Sequence, residues 1–396
     1  MAERTRDIWN DNDGEERKPK KKHRVLRGIL VFSLTLIAVL AVVLVAAYRD
    51  GTGFDVLRRY FSYGTVETVG GEAVYRYDAS AGNRFTMLGN KLVVLSETKL
   101  SVLDPASGEV WSEQVGMTAP ALQGNGTLAV AYDVGGTVLY LVDQEGEAAR
   151  LTLEEEERLI SAALNQDGWL AVTTEKTSHK AWVTVYDEDL EKVFEFKSSE
   201  HFVVDACVAD DQRTLAAVTL GQEDGVFVSR LVFYDLRETE PLAECVIEDG
   251  LAAAMDWQKD QLVTVSDTCL TFADAAGNVT SEYRYDGSFL RGYALEGDGF
   301  AALLLNRYQS GSVGRLVSVG TDGTVLGELD VNREVLGISA AGRYLAVLYA
   351  DQLVIYNQEL QTYASLTGTD FASGVLMRAD GSAVLLSSEY AGLFLP

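Results

Sequence analysis

Apolar residues in this chain come in short blocks rather than at helical spacing. Eight blocks follow one another: KLVVLSE (91–97), TLAVAYD (127–133), WLAVTTE (169–175), TLAAVTL (214–220), QLVTVSD (261–267), GFAALLL (299–305), YLAVLYA (344–350) and SAVLLSS (382–388). They start at intervals of between about 35 and 50 residues. Their length and near-uniform apolarity suit a strand buried on both faces. Most follow a polar turn with Gly, Asn or Asp, such as LGN, NQDG or EGDG. A second strand-like stretch comes next, in the series KLSVLD, VLYLVD, WVTVYD, RLVFYD, CLTFAD, RLVSVG and QLVIYN. A turn (PASGE, EGE, EDLEK, AAGN, TDGT) then leads to a further strand such as VWSEQV, VFEFK or SEYRYD.

Each unit thus spells four short antiparallel strands in about forty residues: inner, apolar, alternating and outer. That is the sequence form of a β-propeller blade. The apolar second strand is expected between neighbouring blades, and the alternating fourth strand at the outside. A stacked solenoid needs shorter, more regular periods, and an immunoglobulin tandem needs units of about 90–100 residues with a Cys–Trp–Cys core. Five of the first seven units close their third strand on an acid: Asp104, Asp143, Asp187, Asp235 and Asp274, with Gly320 and Asn357 in the other two. Asp or Asn at the head of a tight turn accepts hydrogen bonds from backbone N–H groups just ahead of it. These residues are therefore assigned a structural role.

The last unit has three strands and then ends, whereas Tyr75-Arg76-Tyr77-Asp78 stands ahead of the first unit. The same tetrapeptide, Tyr283-Arg284-Tyr285-Asp286, ends the fifth unit. Leu88 follows Tyr75 by 13 residues and Leu295 follows Tyr283 by 12. The matching distance predicts that residues 72–78 form the outer strand of the C-terminal blade, beside AGLFLP. Such closure leaves no exposed sheet edge. The expected fold is an all-β, eight-bladed β-propeller over 71–396 closed by an N-terminal strand, with seven blades as the alternative.

Ahead of it, Gly28 to Tyr48 is an uncharged run of 21 residues. Its length as a helix matches the roughly 30 Å hydrocarbon core of a bilayer. Arg17 to Arg27 holds seven basic residues and no acidic one. By the positive-inside rule, 1–27 is a disordered cytoplasmic tail, 28–48 a single transmembrane signal anchor, and the remainder lies outside the cytoplasm. A cleaved signal peptide fits less well, because its apolar stretch is shorter. Residues 49–70 form a connecting segment in which Phe54, Leu57 and Phe61 fall on one side of a short amphipathic helix.

Charge sharpens this picture. Beyond residue 27 the chain carries 24 Lys/Arg against 53 Asp/Glu, a net of −29. That excludes a nucleic-acid partner and flat adhesion to an anionic membrane surface. Three cysteines, Cys207, Cys245 and Cys269, all in strand-like stretches, are expected as small buried hydrophobes, with at most one bridge among them.

Leu103 to Trp111, LDPASGEVW, resembles the Asp–turn–Gly–x–x–Trp signature of quinoprotein-type propeller repeats through Asp104, Gly108 and Trp111. WD-type repeats are matched less well, since the Gly-His and Trp-Asp pairs are missing. Taken whole, the basic tail, single span, Phe61-Ser62-Tyr63 and propeller resemble a family of bacterial membrane-anchored propellers whose domain has no assigned function. A quinone enzyme requires a Trp-stacked cofactor and bound Ca²⁺, and none of Trp111, Trp169, Trp182 or Trp257 stands in such a context. His179 and His201 lack ligand-spaced partners, although Asp205 follows His201 by four. Glu154 to Glu157 lacks the alternation of a Ca²⁺ loop, and Asn125 and Asn278 lie in glycosylation patterns that double as turns. No nucleophile elbow or phosphate loop is present.

Catalytic, cofactor-binding and metal residues are therefore expected to be none, and no cofactor is implied. The expected function is a non-enzymatic binding or scaffold module at the cell envelope with a protein or envelope ligand. The alternative is a sensor, or a quinone- or Ca²⁺-dependent enzyme, with its site in the propeller funnel.

Overall fold

A computed structural model describes residues 30–39, 42, 55, 59 and 73–396, the last range without 178, 200, 224, 248 and 249. The chain divides into two units, Met1–Leu57 and Arg58–Pro396. In the first, residues 30–39 are helical with exposed side chains, and the Thr35 hydroxyl donates to the Val31 carbonyl at 2.7 Å. Among the described residues no helix is long and apolar enough to cross a membrane. The predicted tail 1–27, half of the 28–48 run and nearly all of 49–70, including Phe61-Ser62-Tyr63, lie outside the described residues.

In the second unit, the repeats form eight four-stranded antiparallel sheets. Seven are sequential: blade I spans 84–114, II 120–152, III 157–198, IV 202–247, V 252–284, VI 289–331 and VII 335–367. Blade VIII takes three strands from 374–394 and its fourth from Ala73–Arg76. Eight blades, not seven, complete the ring.

The closing strand pairs antiparallel with Tyr390–Phe394, with Ala73 opposite Gly392 and Arg76 opposite Tyr390. It is shorter than the predicted 72–78, although Tyr77 N–H still donates to Glu389 O at 3.0 Å. The fifth blade shows the same geometry. There Arg284 pairs with Cys269 and Tyr285 N–H donates to Thr268 O at 3.0 Å. The two YRYD segments are structurally equivalent.

Burial follows the blade plan with one correction. Second strands are buried almost throughout, at all seven positions of Phe300–Asn306 and all six of Tyr344–Tyr349. Fourth strands such as Glu147–Thr152 and Val279–Arg284 alternate between exposed and half-buried. The third strands, expected to alternate, are instead mostly buried, as in Lys99–Asp104 and Cys269–Asp274. Neighbouring blades cover both of their faces, so neither side needs polar residues. His179–Tyr186 keeps an alternating pattern.

The apolar core is not one mass but eight clusters, one at each blade-to-blade interface. The cluster between blades VIII and I contains Tyr75, Leu92, Val94, Leu103, Val384, Leu386, Ala391 and Leu393. Each sheet is thus a two-sided partner, and no blade buries its faces alone.

The predicted turn acids do what their position requires. Asp104 Oδ1 accepts from Ala106 and Ser107 N–H at 2.8 and 2.9 Å, and Asp143 Oδ1 from Glu145 and Gly146 at 2.7 and 3.1 Å. Asp187, Asp235, Asp274 and Asn357 cap their turns in the same way. Hydrogen bonding to Asn278 and then to backbone N–H groups holds the Asp274 carboxyl below its usual range. The next turn also takes the preceding blade's outer strand. A Cβ on Gly146, where φ is +134°, would lie 2.5 Å from Trp111 Cγ. Trp111 therefore packs on the turn of the following blade, which explains the Gly in EGE and gives this Trp a structural role.

Candidate functional site

The ring has two faces. The strand 1–2 and 3–4 turns gather on one, the turn face; the strand 2–3 hairpins and the blade-to-blade crossings gather on the other, the crossing face. Inner strands run between the faces along the central channel. Those of blades III to VII each carry a bulge near the start, between Leu159 and Ser161, Val203 and Asp205, Ala252 and Ala254, Leu290 and Gly292, and Val335 and Gly337. A bulge adds one residue and re-aims the side chains around it.

Between the inner strands of blades III, IV and V lies a cavity of about 410 Å³, lined among others by Gln123, Ser161, Asp205, Cys207, Asp256 and Trp257. Polar side chains lock its rim across successive blades. Asn125 Nδ2 donates to Asn165 O at 2.7 Å, Asn165 Nδ2 to Ala209 O at 3.2 Å, and Trp257 Nε1 to Cys207 O at 3.3 Å. Gln123 Oε1 accepts from Leu164 N–H at 2.7 Å.

Asp205, Asp256 and Glu296 stand on inner strands, and Asp210 on an adjoining turn. The first two are half-buried and Glu296 is exposed, and the protein around them displaces part of their hydration. Loss of hydration pushes Asp205 up to about 6, against the hydrogen bond it accepts from Ala206 N–H at 2.9 Å. Asp256 rises to about 7, first through burial and then through repulsion from Glu296, Asp210 and Asp205. Burial likewise raises Glu296. Tyr132 nearby is pushed up to about 12, and burial lifts the Cys207 thiol far from reactivity. Asp205 therefore keeps its proton only below about pH 6, and Asp256 is half protonated near neutrality. Among the described residues no group of three or more His, Cys, Asp or Glu is placed to hold a metal ion.

Of the residues weighed from sequence, Asp205, Cys207 and Trp257 line this cavity, and the others stand away from it. The His201 ring lies beside Gly221, whose added Cβ would be 2.6 Å from Nδ1, while Asp205 accepts from Ala206 N–H. His179 meets the Trp182 ring edge-on at 5.8 Å. Glu154 and Glu157 pair with Lys176 at 2.9 and 3.2 Å. Lys197 and Lys176 cover Trp182 at 3.8 and 4.7 Å from its centroid, and Trp257 is buried against Phe233. All three cysteines are free, so the one bridge that was left open is not formed. Asn125 and Asn278 spend their side chains on turn hydrogen bonds. Of the channel carboxyls the sequence raised only Asp205, and as a partner of His201; the signal for the group was a lone acid within each apolar inner stretch, VVDACV, AMDWQ and YALEG.

Solved structures share the fold. BamB from Moraxella catarrhalis aligns at a TM-score of 0.52 and 16% identity, over 83% of this chain and 99% of that one. The C-terminal WD40 domain of Sif2 aligns at 0.58 and 15% identity, over 82% and 98% of the two chains. The computationally designed Ika8 protein reaches 0.58 at 12% identity, over 82% and 100%. At these identities the likeness establishes an eight-bladed propeller fold and nothing more about this chain. No curated protein matches it in sequence. The sequence model of one family spans residues 59–366, from ahead of the closing strand to the outer strand of blade VII, and the chain therefore belongs to DUF5711, a family of unknown function.

Proposed function

We propose that this protein is a membrane-anchored, extracytoplasmic propeller that binds a protein or cell-envelope partner through its crossing face and catalyses no reaction. The observation that carries the proposal is the distribution of exposed apolar side chains. Phe202, Leu251, Phe289 and Leu336 stand at blade crossings or inner-strand starts, and Val226, Phe227, Tyr308 and Val313 on strand 2–3 hairpins. All belong to the crossing face of blades IV to VII. Phe227 and Tyr308 are 61% and 62% exposed. The large apolar residues exposed elsewhere in the ring include Val110, Val193, Leu242, Val246, Val279 and Val325, spread over the outer strands of blades I, III, IV, V and VI. Gathered exposed apolar side chains on a rigid scaffold mark a binding surface, whereas scattered ones need no explanation.

The anchor is supported by the uncharged run from Gly28 to Tyr48 and the basic stretch before it. A membrane-impermeant lysine reagent applied to intact cells should label propeller lysines and spare Lys18 to Lys22. Labelling of the tail in place of the propeller would reverse the proposed orientation. Mild cross-linking in the membrane should recover a specific partner with the native chain, and Phe227→Asp should abolish that recovery while the ring stays folded. Recovery unaffected by Phe227→Asp would remove the crossing face from the interaction.

A further inference from the structure

The geometry points to a carboxylate-binding pocket between blades VI and VII on the crossing face, in which Arg291 and Arg333 hold an acidic side chain of a peptide segment from the partner. This rests on the crossing face being the binding face and names the chemistry it recognises. The cavity encloses about 330 Å³ and is bounded by the starts of two inner strands and the 306–314 hairpin.

Arg291 is the extra residue of the bulge between Leu290 and Gly292. The bulge takes it out of the strand's alternation, and its side chain lines the cavity. It is exposed, and among the described residues no hydrogen bond or ion pair engages it. That is unusual in a domain so acidic, where Arg150, Lys176, Arg213 and Arg230 all carry carboxylate partners.

Arg333 is already positioned. Its guanidinium lies 3.9 Å from the Tyr349 ring centroid, with both Nη atoms 3.4 Å from Gln352 Oε1 and Nη1 3.6 Å from Asp351. A stacked guanidinium gives up little further freedom on binding, and paired guanidinium groups suit a planar carboxylate. Glu334 also lines the cavity and Asp351 stands beside Arg333. Their charge tolerates a singly charged carboxylate and repels a phosphate dianion. Leu304, Val331 and Val335 add apolar wall, with Phe289 and Leu336 exposed on the same inner strands. The occupant is thus an acidic residue with an apolar neighbour.

The full chain in detergent tests this by calorimetry with N-acetyl-Phe-Glu-amide, its Phe-Gln counterpart and inorganic phosphate at millimolar concentration. The acidic dipeptide should bind at least about tenfold more tightly than the neutral one, as expected for one charge-assisted contact. Arg291→Gln and Arg333→Gln should each erase that preference. Arg84→Gln, an equal charge change on the distant inner strand of blade I, should preserve it. Unchanged melting temperatures would show that the variants remain folded. Absence of dipeptide binding, equal binding of both dipeptides, binding of phosphate instead, or persistence in Arg291→Gln would each overturn the assignment. A cross-linked partner still recovered with both arginine variants but lost with Phe227→Asp would sink the pocket alone and leave the crossing-face proposal standing.

Discussion

Deleting residues 73–78 is expected to unfold the whole propeller rather than fray one end. The strand they form is the only fourth strand blade VIII has, and Tyr75 sits in the cluster that joins blade VIII to blade I. Tyr75 is 1% exposed and its hydroxyl donates to Asn90 O in blade I at 2.6 Å. Tyr77, on the same face, packs its ring 5.1 Å from that of Phe85 in blade I while its hydroxyl donates to Ser387 O at 3.0 Å and Tyr390 O at 2.7 Å in blade VIII. Both tyrosines thus bridge the seam between the two blades. Because every blade depends on both neighbours, opening one interface exposes two apolar faces, and loss of the closing strand also bares the edge of Tyr390–Phe394. Deletion of the last six residues should act equally, since it removes Ala391 and Leu393 from the same cluster. Within the intact chain, Tyr75→Ala should cost about 3–5 kcal/mol, the range for emptying a buried aromatic site. Tyr75→Phe should cost only about 1 kcal/mol, for one hydrogen bond. Urea unfolding followed by tryptophan fluorescence reads both effects. A deletion variant that still unfolds in one cooperative transition at the native midpoint would disprove closure as the source of stability.

The second large effect is a pH dependence opposite to that of most proteins with paired surface carboxylates. Asp205 and Asp256, raised to about 6 and 7, keep protons in the folded state that an unfolded chain releases near pH 4. Between those values the folded state binds more protons, so each rise in pH favours unfolding. Stability should be highest near pH 5 and fall toward pH 8. Below about pH 4 it should fall again, as Asp235, held down by Arg213, and Asp274, held down by Asn278, become protonated. Repulsion within a chain of net charge −26 at pH 7 adds to the high-pH loss. Asp256→Asn removes the most strongly shifted of these groups and also relieves Glu296, Asp210 and Asp205. It should stabilise the protein at pH 8 by on the order of 2–4 kcal/mol, the upper value being three pKa units converted to free energy. The advantage should shrink as pH falls and vanish near pH 4, where Asp256 is protonated in the folded state and largely so in the unfolded one. Thermal melts from pH 4 to pH 9 check this; a native protein more stable at pH 8 than at pH 5 would show that the channel carboxyls are not desolvated.

The blade register was legible because it depends on local signals. Apolar blocks such as Phe300 to Asn306 coincide with observed second strands, and turn acids such as Asp104 and Asp274 cap the turns expected of them. Closure was legible for a different reason. Arg76 and Arg284 belong to one repeated outer-strand sequence, and both occupy the same place opposite a third strand. The burial of third strands was misjudged, because their alternation depends on what covers the far face, and only assembly of the neighbouring blade supplies that cover.

Strand order, blade number and the closing seam were therefore determined by the sequence itself, since periodicity and turn chemistry act over a few residues at a time. The two sites were decided only by the tertiary structure. Asp205, Asp256 and Glu296 lie far apart in the chain and become one desolvated group when three inner strands meet at the channel. Arg291 and Arg333 likewise belong to different blades, and a bulge no motif announces puts Arg291 into their shared cavity. Electrostatic environment depends on through-space distance and on water exclusion, which the ring creates and the order of residues alone does not display.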